Sequence, residues 1–215
     1  YPMTAVDEIT YRTPDALFNG TAVVDVIKSC IPAIKDPWGM PATDVDAVLV
    51  AIRIASYGHT MELDTICPHC RHEASYGLDL RTVLEKLKSP DFNETITHGD
   101  LEIFFKPMDY KLLNANNQVQ FEEQKTLQNL AQSETASDEL RAGKISEILQ
   151  KITEMTVSSI TQSISAVKTP NSFVNEQAHI TEFLKNCDRA LFNQIRDRVI
   201  ALKQQAELKP LKIKC

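Results

Sequence analysis

Hydrophobic and polar positions divide the chain into a helical front, a short alternating stretch and a long helical back. Thr13-Pro14-Asp15-Ala16-Leu17-Phe18 carries a helix start. Thr can cap the first amides, Pro tolerates the first helical position, and Asp suits the positive helix end. Asn19-Gly20 interrupts it. From Ala22 to Ile31, the stripe Val23, Val26, Ile27 and Cys30 predicts a second helix with Cys30 in the core. Lys35 to Pro41 reads as a rigid connector. Thr43 or Asp44 then caps a helix through Val45, Val48, Leu49, Ile52 and Ile54 to Tyr57, stopped by Gly58. Its apolar residues lie on more than one side, so it is predicted to be the central buried element of the N-terminal half. Arg53 there needs a partner or a route to solvent.

The period changes to two at His59. Met61, Leu63 and Thr65 alternate with Thr60, Glu62 and Asp64. A Cys67-Pro68-His69-Cys70 turn comes next, and then an extended stretch from Glu73 to Leu80. This predicts strand, knuckle, strand. A short helix is expected at Arg81 to Leu87, ended by Ser89-Pro90, and then a hairpin from Glu94 to Phe105 around His98-Gly99-Asp100.

Beyond Pro107 the pattern predicts helices over Asp109 to Gln132 and Asp138 to Val167, joined by the polar Ser133 to Ser137. In the second, Ile145, Ile148, Ile152 and Met155 recur at spacings of three and four, widened by Leu149, and packing within the chain's own bundle is the expected use of this stripe. Further helices are expected around Glu176 to Cys187 and Asp188 to Glu207, and a strand-like end over Leu211 to Cys215. The predicted fold is thus α+β, mainly α. Residues 1–58 form a helical N-terminal region, 59–80 a zinc-ribbon-like β unit completed by 208–215, 81–108 a short helix and β-hairpin, and 109–207 a C-terminal helical bundle.

The chain has 215 residues, 43% of them hydrophobic and 24% charged, with a net charge of −6. That suits a globular core and gives no basic surface of the density that nucleic acid requires. Residues 1–110 hold 9 basic and 17 acidic side chains, and 111–215 hold 14 and 12. Such an uneven distribution serves solubility or favours a charge-complementary neighbour. No run approaches the ~18–20 apolar residues of a membrane span. The start Tyr1-Pro2-Met3-Thr4 does not read as a signal peptide, which points to a reducing compartment. The missing initiator methionine and the stop at Cys215 predict clipped ends.

The sharpest chemical signal is Cys67-Pro68-His69-Cys70. Two thiolates on one tight turn can face one ion, as each half of a zinc ribbon does. The approach Leu211-Lys212-Ile213-Lys214 to Cys215 supplies a candidate third ligand, with the fourth expected to be a further Cys if the chain continues past Cys215 with two residues before it. The fallback fourth ligands are His72 and His69, which sit beside the first knuckle. Cys30 and Cys187 read as core thiols. The same tetrapeptide also suits thiol–disulfide exchange, but that needs a long helix beginning within it. None is predicted after Arg71. Glu122 and Glu123 read as a solvated helix face. No H-E-x-x-H, G-x-S-x-G or phosphate-binding glycine loop occurs, so no enzyme is expected. Trp38 and Met40, on the Pro-flanked connector, are candidate partner contacts, with a role for Trp38 in capping the core as the competing reading.

These residues, in their order, resemble a family. Thr13-Pro14-Asp15-Ala16-Leu17, Val23-Val24-Asp25-Val26-Ile27, Asp36-Pro37-Trp38, Asp44-Val45-Asp46-Ala47 and Arg53-Ile54-Ala55-Ser56-Tyr57-Gly58, together with the knuckle, are similar to the baseplate hub proteins of T-even-like contractile-tailed bacteriophages. The resemblance is strongest over about residues 2–90 and returns at Cys215. It implies a structural or assembly role through contacts with other baseplate hub and tail proteins, in the host bacterial cytoplasm and then in the tail baseplate of the virion. It also implies structural zinc, with Cys67, Cys70 and Cys215 at ligand positions. The alternatives are a transient hub assembly chaperone, a zinc-ribbon regulator that binds nucleic acid, and a thiol–disulfide oxidoreductase.

Overall fold

A computed structural model describes residues 1–132 and 138–207. The described residues divide into two compact units, one of Tyr1–Pro90 with 203–207 and one of Asp91–Leu202. The described residues form nine α-helices, a short 3-10 turn and two small antiparallel sheets, so the fold is α+β and mainly α.

In the first unit, α1 (Ala5–Tyr11) is a helix that the apolar spacing does not announce. A capping box starts it. The Asp7 carboxylate accepts from the Thr4 amide at 2.7 Å and from the Thr4 hydroxyl at 2.8 Å, while the Asp7 amide donates to Thr4 Oγ1 at 3.4 Å. The same carboxylate accepts from Ser29 Oγ on α3 (Thr21–Cys30) at 3.1 Å. In α2 (Pro14–Phe18), Pro14 opens the helix as expected, but the Thr13 hydroxyl donates back to the Ile9 carbonyl instead of capping. The α3 helix buries Val23, Val26, Ile27 and Cys30, the predicted stripe, together with Ala22 and Val24.

The helix α4 spans Ala42–Tyr57, and Pro41 holds the cap position without a side-chain bond, so Thr43 and Asp44 fall inside the first turn. Gly58, at φ 84°, stops it in a conformation that side chains disfavour. Only Val45 and Ile52 are buried along α4; Val48, Leu49, Val50 and Ile54 are half-buried. The expectation of a central buried helix is therefore corrected, because its neighbours within the unit cover one face well and the others only in part. Arg53 lies over the Tyr57 ring, 4.4 Å from its centroid, and its Nη1 is buried without a hydrogen bond. Two strands, β1 (Thr60–Ile66) and β2 (Glu73–Asp79), form an antiparallel hairpin that leads into α5 (Leu80–Lys86), where Leu80 and Val83 are buried.

The second unit is built on a four-stranded antiparallel sheet in the order β3-β4-β5-β6. Strands β3 (Ile96–His98) and β4 (Leu101–Phe105) form the expected hairpin, with Gly99 at φ 58° in its two-residue turn. Two long helices come next, α6 (Tyr110–Gln132) and α7 (Asp138–Gln162). The predicted joining segment, 133–137, lies outside the described residues.

The expectation of helix through Val167 is overturned, since α7 ends at Gln162 and Ile164–Lys168 forms β5, paired with β4 through Ile103↔Val167 and Phe104↔Ala166. The hydroxyls of Ser159, Thr161 and Ser163 each bond the carbonyl four residues back, a competition with the helix backbone that accompanies its end. Within β5 itself, Ile164, Ala166 and Val167 are buried against the rest of the unit. Past the Thr169–Ser172 turn lie β6 (Phe173–Val174), α8 (Gln177–Asn186) and α9 (Arg189–Ala206). Residues 109–207 are thus helices packed with strands, not a helical bundle alone. The core joins Ile103 and Phe105 of β4, Ile160 of α7, Ile164 and Val167 of β5, Ile180 and Leu184 of α8, and Leu191, Ile195, Val199 and Leu202 of α9.

Two details of the long helices depart from expectation. Glu122 is exposed as predicted, but Glu123 is only 7% exposed and accepts from Lys151 Nζ at 2.8 Å across the α6–α7 pair. A carboxylate removed from water requires such a cation. The α7 stripe is also only partly used: Ile148 is buried and Ile152 and Met155 are half-buried, whereas Ile145 and Leu149 are exposed.

Two substitutions test this packing. The Thr4 amide holds the Asp7 carboxyl below its ordinary pKa, aided by the Thr4 and Ser29 hydroxyls, against the opposing effect of burial. A carboxylate with a depressed native pKa stabilises the fold above its unfolded pKa and loses that contribution as pH falls through the native one. Asp7→Asn should destabilise the protein at pH 7, with the gap to wild type closing towards pH 3 in urea melts. Ile195→Ala, in the fully buried centre of the second unit, should cost about 2–5 kcal/mol in the same assay.

Candidate metal centre

The knuckle sits at the tip of the β1–β2 hairpin. Seven residue pairs hold its register, from Thr60↔Asp79 to Ile66↔Glu73. The alternation predicted for β1 has little core to face: Leu63 is its one half-buried residue, the other six are exposed, and Ile66 is 60% exposed. A two-stranded hairpin with so little apolar cover is marginal by itself.

Both ends of this hairpin are fastened by polar bonds. At its base, the Leu80 amide donates to the His59 carbonyl at 2.8 Å. Asp79 caps α5 and pairs with Arg81 at 2.6 Å, and that guanidinium lowers the Asp79 pKa to about 2. At the tip, the Cys67 amide donates to the His72 carbonyl at 2.9 Å and the Arg71 amide to the Cys67 carbonyl at 2.8 Å. This closes a turn over Cys67-Pro68-His69-Cys70. Arg71 stands at φ 57°, in the left-handed region, the sole non-glycine to do so among the described residues. Such a conformation costs a side-chain-bearing residue roughly 1–2 kcal/mol.

The structure places Cys67 half-buried and Cys70 exposed on this turn, with His69 and His72 exposed beside them. Cys215 and the strand expected to carry it lie outside the described residues. Among the described residues, no group of three or more His, Cys, Asp or Glu side chains is gathered to hold a metal. The knuckle therefore provides two donors of the right chemistry, both accessible at least in part. The helix that disulfide exchange needs at this motif is replaced by β2.

Cys30 and Cys187 behave as packed thiols. Burial raises both of their pKa values, and Cys187 donates to the Leu184 carbonyl at 3.3 Å from just beyond the end of α8. Trp38 and Met40 are half-buried around the 3-10 turn Pro37–Gly39, with Pro37 itself buried. Apolar spacing missed two widely exposed aliphatic residues, Val6 and Ile9 on α1. The signal that could have found that helix is the capping pair Thr4 and Asp7.

Among the described residues, no helix is long and apolar enough to cross a membrane. A family model described as T4 bacteriophage base plate protein matches residues 5–215, well beyond the stretch where the motifs are densest. The class this defines is a structural protein of the phage tail baseplate. The chain belongs to the T4 bacteriophage base plate protein family. No curated protein and no solved structure matches it.

Arg71→Gly should stabilise the knuckle turn by about 0.5–1 kcal/mol, because glycine adopts the left-handed region without a Cβ penalty. Arg71→Val should act in the opposite sense. Hydrogen exchange at the Cys67 and Arg71 amides would read both.

Proposed function

We propose that this baseplate protein serves in the central hub, where one structural zinc ion, held by Cys67, Cys70 and Cys215, clips the β1–β2 hairpin to the end of the chain. The fourth donor is a further residue, for which His72 and His69 stand beside the knuckle. The observation that carries the reading is a hairpin tip whose two cysteines flank a tight turn, kept in a strained left-handed conformation at Arg71 although the strands behind it have little core. Strain of this kind persists where surrounding bonds over-determine it. Because a site assembled from distant parts of a chain does not exist before folding, metal affinity becomes folding energy.

Such a clip has no chemistry to perform on a substrate. Its work is to hold the surface of the N-terminal unit in shape for other hub and tail proteins, with Trp38 and Met40 on the connector as contacts. Aromatic and methionine side chains are enriched in protein interfaces. On this reading, the protein joins its partners in the host cytoplasm and enters the tail baseplate with them.

Native mass spectrometry of the protein purified from infected cells tests the clip. One zinc per chain is expected, lost in Cys67→Ser and in Cys70→Ser with a lower melting temperature in each. A metal-free protein, or serine variants that keep their zinc, would contradict it. Detection of the chain in purified virions separates a resident hub subunit from an assembly chaperone that departs.

A further inference from the structure

We propose that residues 208–215 dock along the open edge of β2 as a third, antiparallel strand, with Lys212 and Lys214 over an acidic face of the ribbon and Leu211 and Ile213 over its apolar face. The direction of that strand rests on the proposed place of Cys215 beside the knuckle; the pairing itself needs no zinc.

The hairpin has two unlike faces. Residues opposed across the ribbon share a face, so the register Glu62↔Gly77, Asp64↔Ser75 and Ile66↔Glu73 gathers three carboxylates on one side. All three are exposed, and none is ion-paired among the described residues. The other side holds Leu63, Ala74, Tyr76 and Leu78, each half-buried. An open cleft of about 470 Å³ lies at the tip end of the ribbon, lined by Asp64, Thr65, Ile66, Glu73, Ala74 and Ser75.

The edge of β2 is open as well. The Leu80 amide bonds the His59 carbonyl and the Cys67 amide bonds the His72 carbonyl, which fixes the phase of the ladder. Ala74, Tyr76 and Leu78 thus turn their backbone groups to β1. Glu73, Ser75 and Gly77 turn theirs outward, where no described strand pairs with them. Such an edge is a template for a further strand.

The chain's own end suits both edge and faces. Residues 203–207 belong to the same unit as the hairpin. Extended, 208–215 spans about 26 Å, more than the roughly 20 Å of β2. The segment holds Lys209, Lys212 and Lys214 and no acid, and Leu211 and Ile213 alternate with Lys212 and Lys214, so as a strand it is apolar on one side and cationic on the other. A strand that brings Cys215 to the tip runs parallel to β1 and antiparallel to β2, and the antiparallel pair is the more stable. The register that satisfies both faces sets Leu211 opposite Tyr76, Lys212 opposite Ser75, Ile213 opposite Ala74, Lys214 opposite Glu73 and Cys215 opposite His72. Its hydrogen-bonded positions fall on Lys212 and Lys214, and Pro210, which has no amide, comes before the first of them. A strand from another molecule would compete with a segment already tethered to the unit, whose effective concentration is on the order of millimolar.

Hydrogen exchange at the Ser75 amide of the full chain tests the dock. Lys212→Pro removes one ladder donor and is expected to speed exchange there about tenfold or more. Glu73→Lys and Lys214→Glu are each expected to speed it about two- to fivefold, and their combination to recover most of the protection. Unchanged exchange in Lys212→Pro would overturn the third strand, and a combined variant no better than either single one would overturn the Lys214–Glu73 pairing. A photo-crosslinking residue at position 213 should join residues 73–76 of the same chain; a cross-linked dimer or a link to another protein would overturn the intramolecular occupant. Zinc content, read by native mass spectrometry on the same samples, reports on the clip separately: a protected Ser75 in metal-free protein supports the dock while contradicting the clip, and an unprotected Ser75 in zinc-loaded protein overturns the dock alone.

Discussion

Scarcity of apolar cover governs the N-terminal unit. Its longest helix, α4, is apolar on several sides, yet only Val45 and Ile52 along it are fully buried. Its hairpin has one half-buried side chain on β1, and α1 directs its aliphatic residues to solvent. Buried apolar area is the main favourable term in folding, so a unit that leaves so much uncovered leans on local polar bonds and on whatever covers it in an assembly. The capping box of α1, the Asp79–Arg81 clamp at the base of the hairpin and the closed turn at its tip supply the local bonds.

The second unit solves the same problem differently. Strands β4 and β5 bring Ile103, Ile164 and Val167 together with helices α8 and α9, and among the described residues five of the largest buried side chains are isoleucines, four of them in this unit. It has a core sufficient for its own fold. The chain thus combines a unit with a well-covered core and a unit that leaves aliphatic side chains exposed.

Much of this was legible in the residues. The stripe Val23, Val26, Ile27 and Cys30 located α3, the apolar run stopped by Gly58 located α4, the helical stretches between breaking residues located α6, α8 and α9, and the switch to alternation at His59 located β1 and the knuckle. Elsewhere a local pattern was ambiguous or tertiary partners decided the outcome. The run from Ser158 to Val167 is compatible with helix by hydrophobicity, and only the open edge of β4 makes its second half a strand. Glu123 looked solvated because its partner, Lys151, lies 28 residues on. The inward turn of Asp7 depends on Ser29, which no periodicity links to it. Of the proposed metal site, the two knuckle cysteines were visible in the sequence, and the turn carries both. Cys215 was nominated by sequence and resemblance alone.

The zinc clip is the central claim for the N-terminal unit, and hydrogen exchange across the β1–β2 hairpin tests it most directly. The full chain would be measured with zinc and after chelation, tracking the amides of Met61, Leu63 and Thr65, which the register turns towards β2. If metal binding supplies the stability that the hairpin's core does not, protection at these amides falls by about tenfold or more on chelation, while the amides of Ile103 and Ile195 are unchanged. Equal protection of the hairpin with and without zinc would contradict the account.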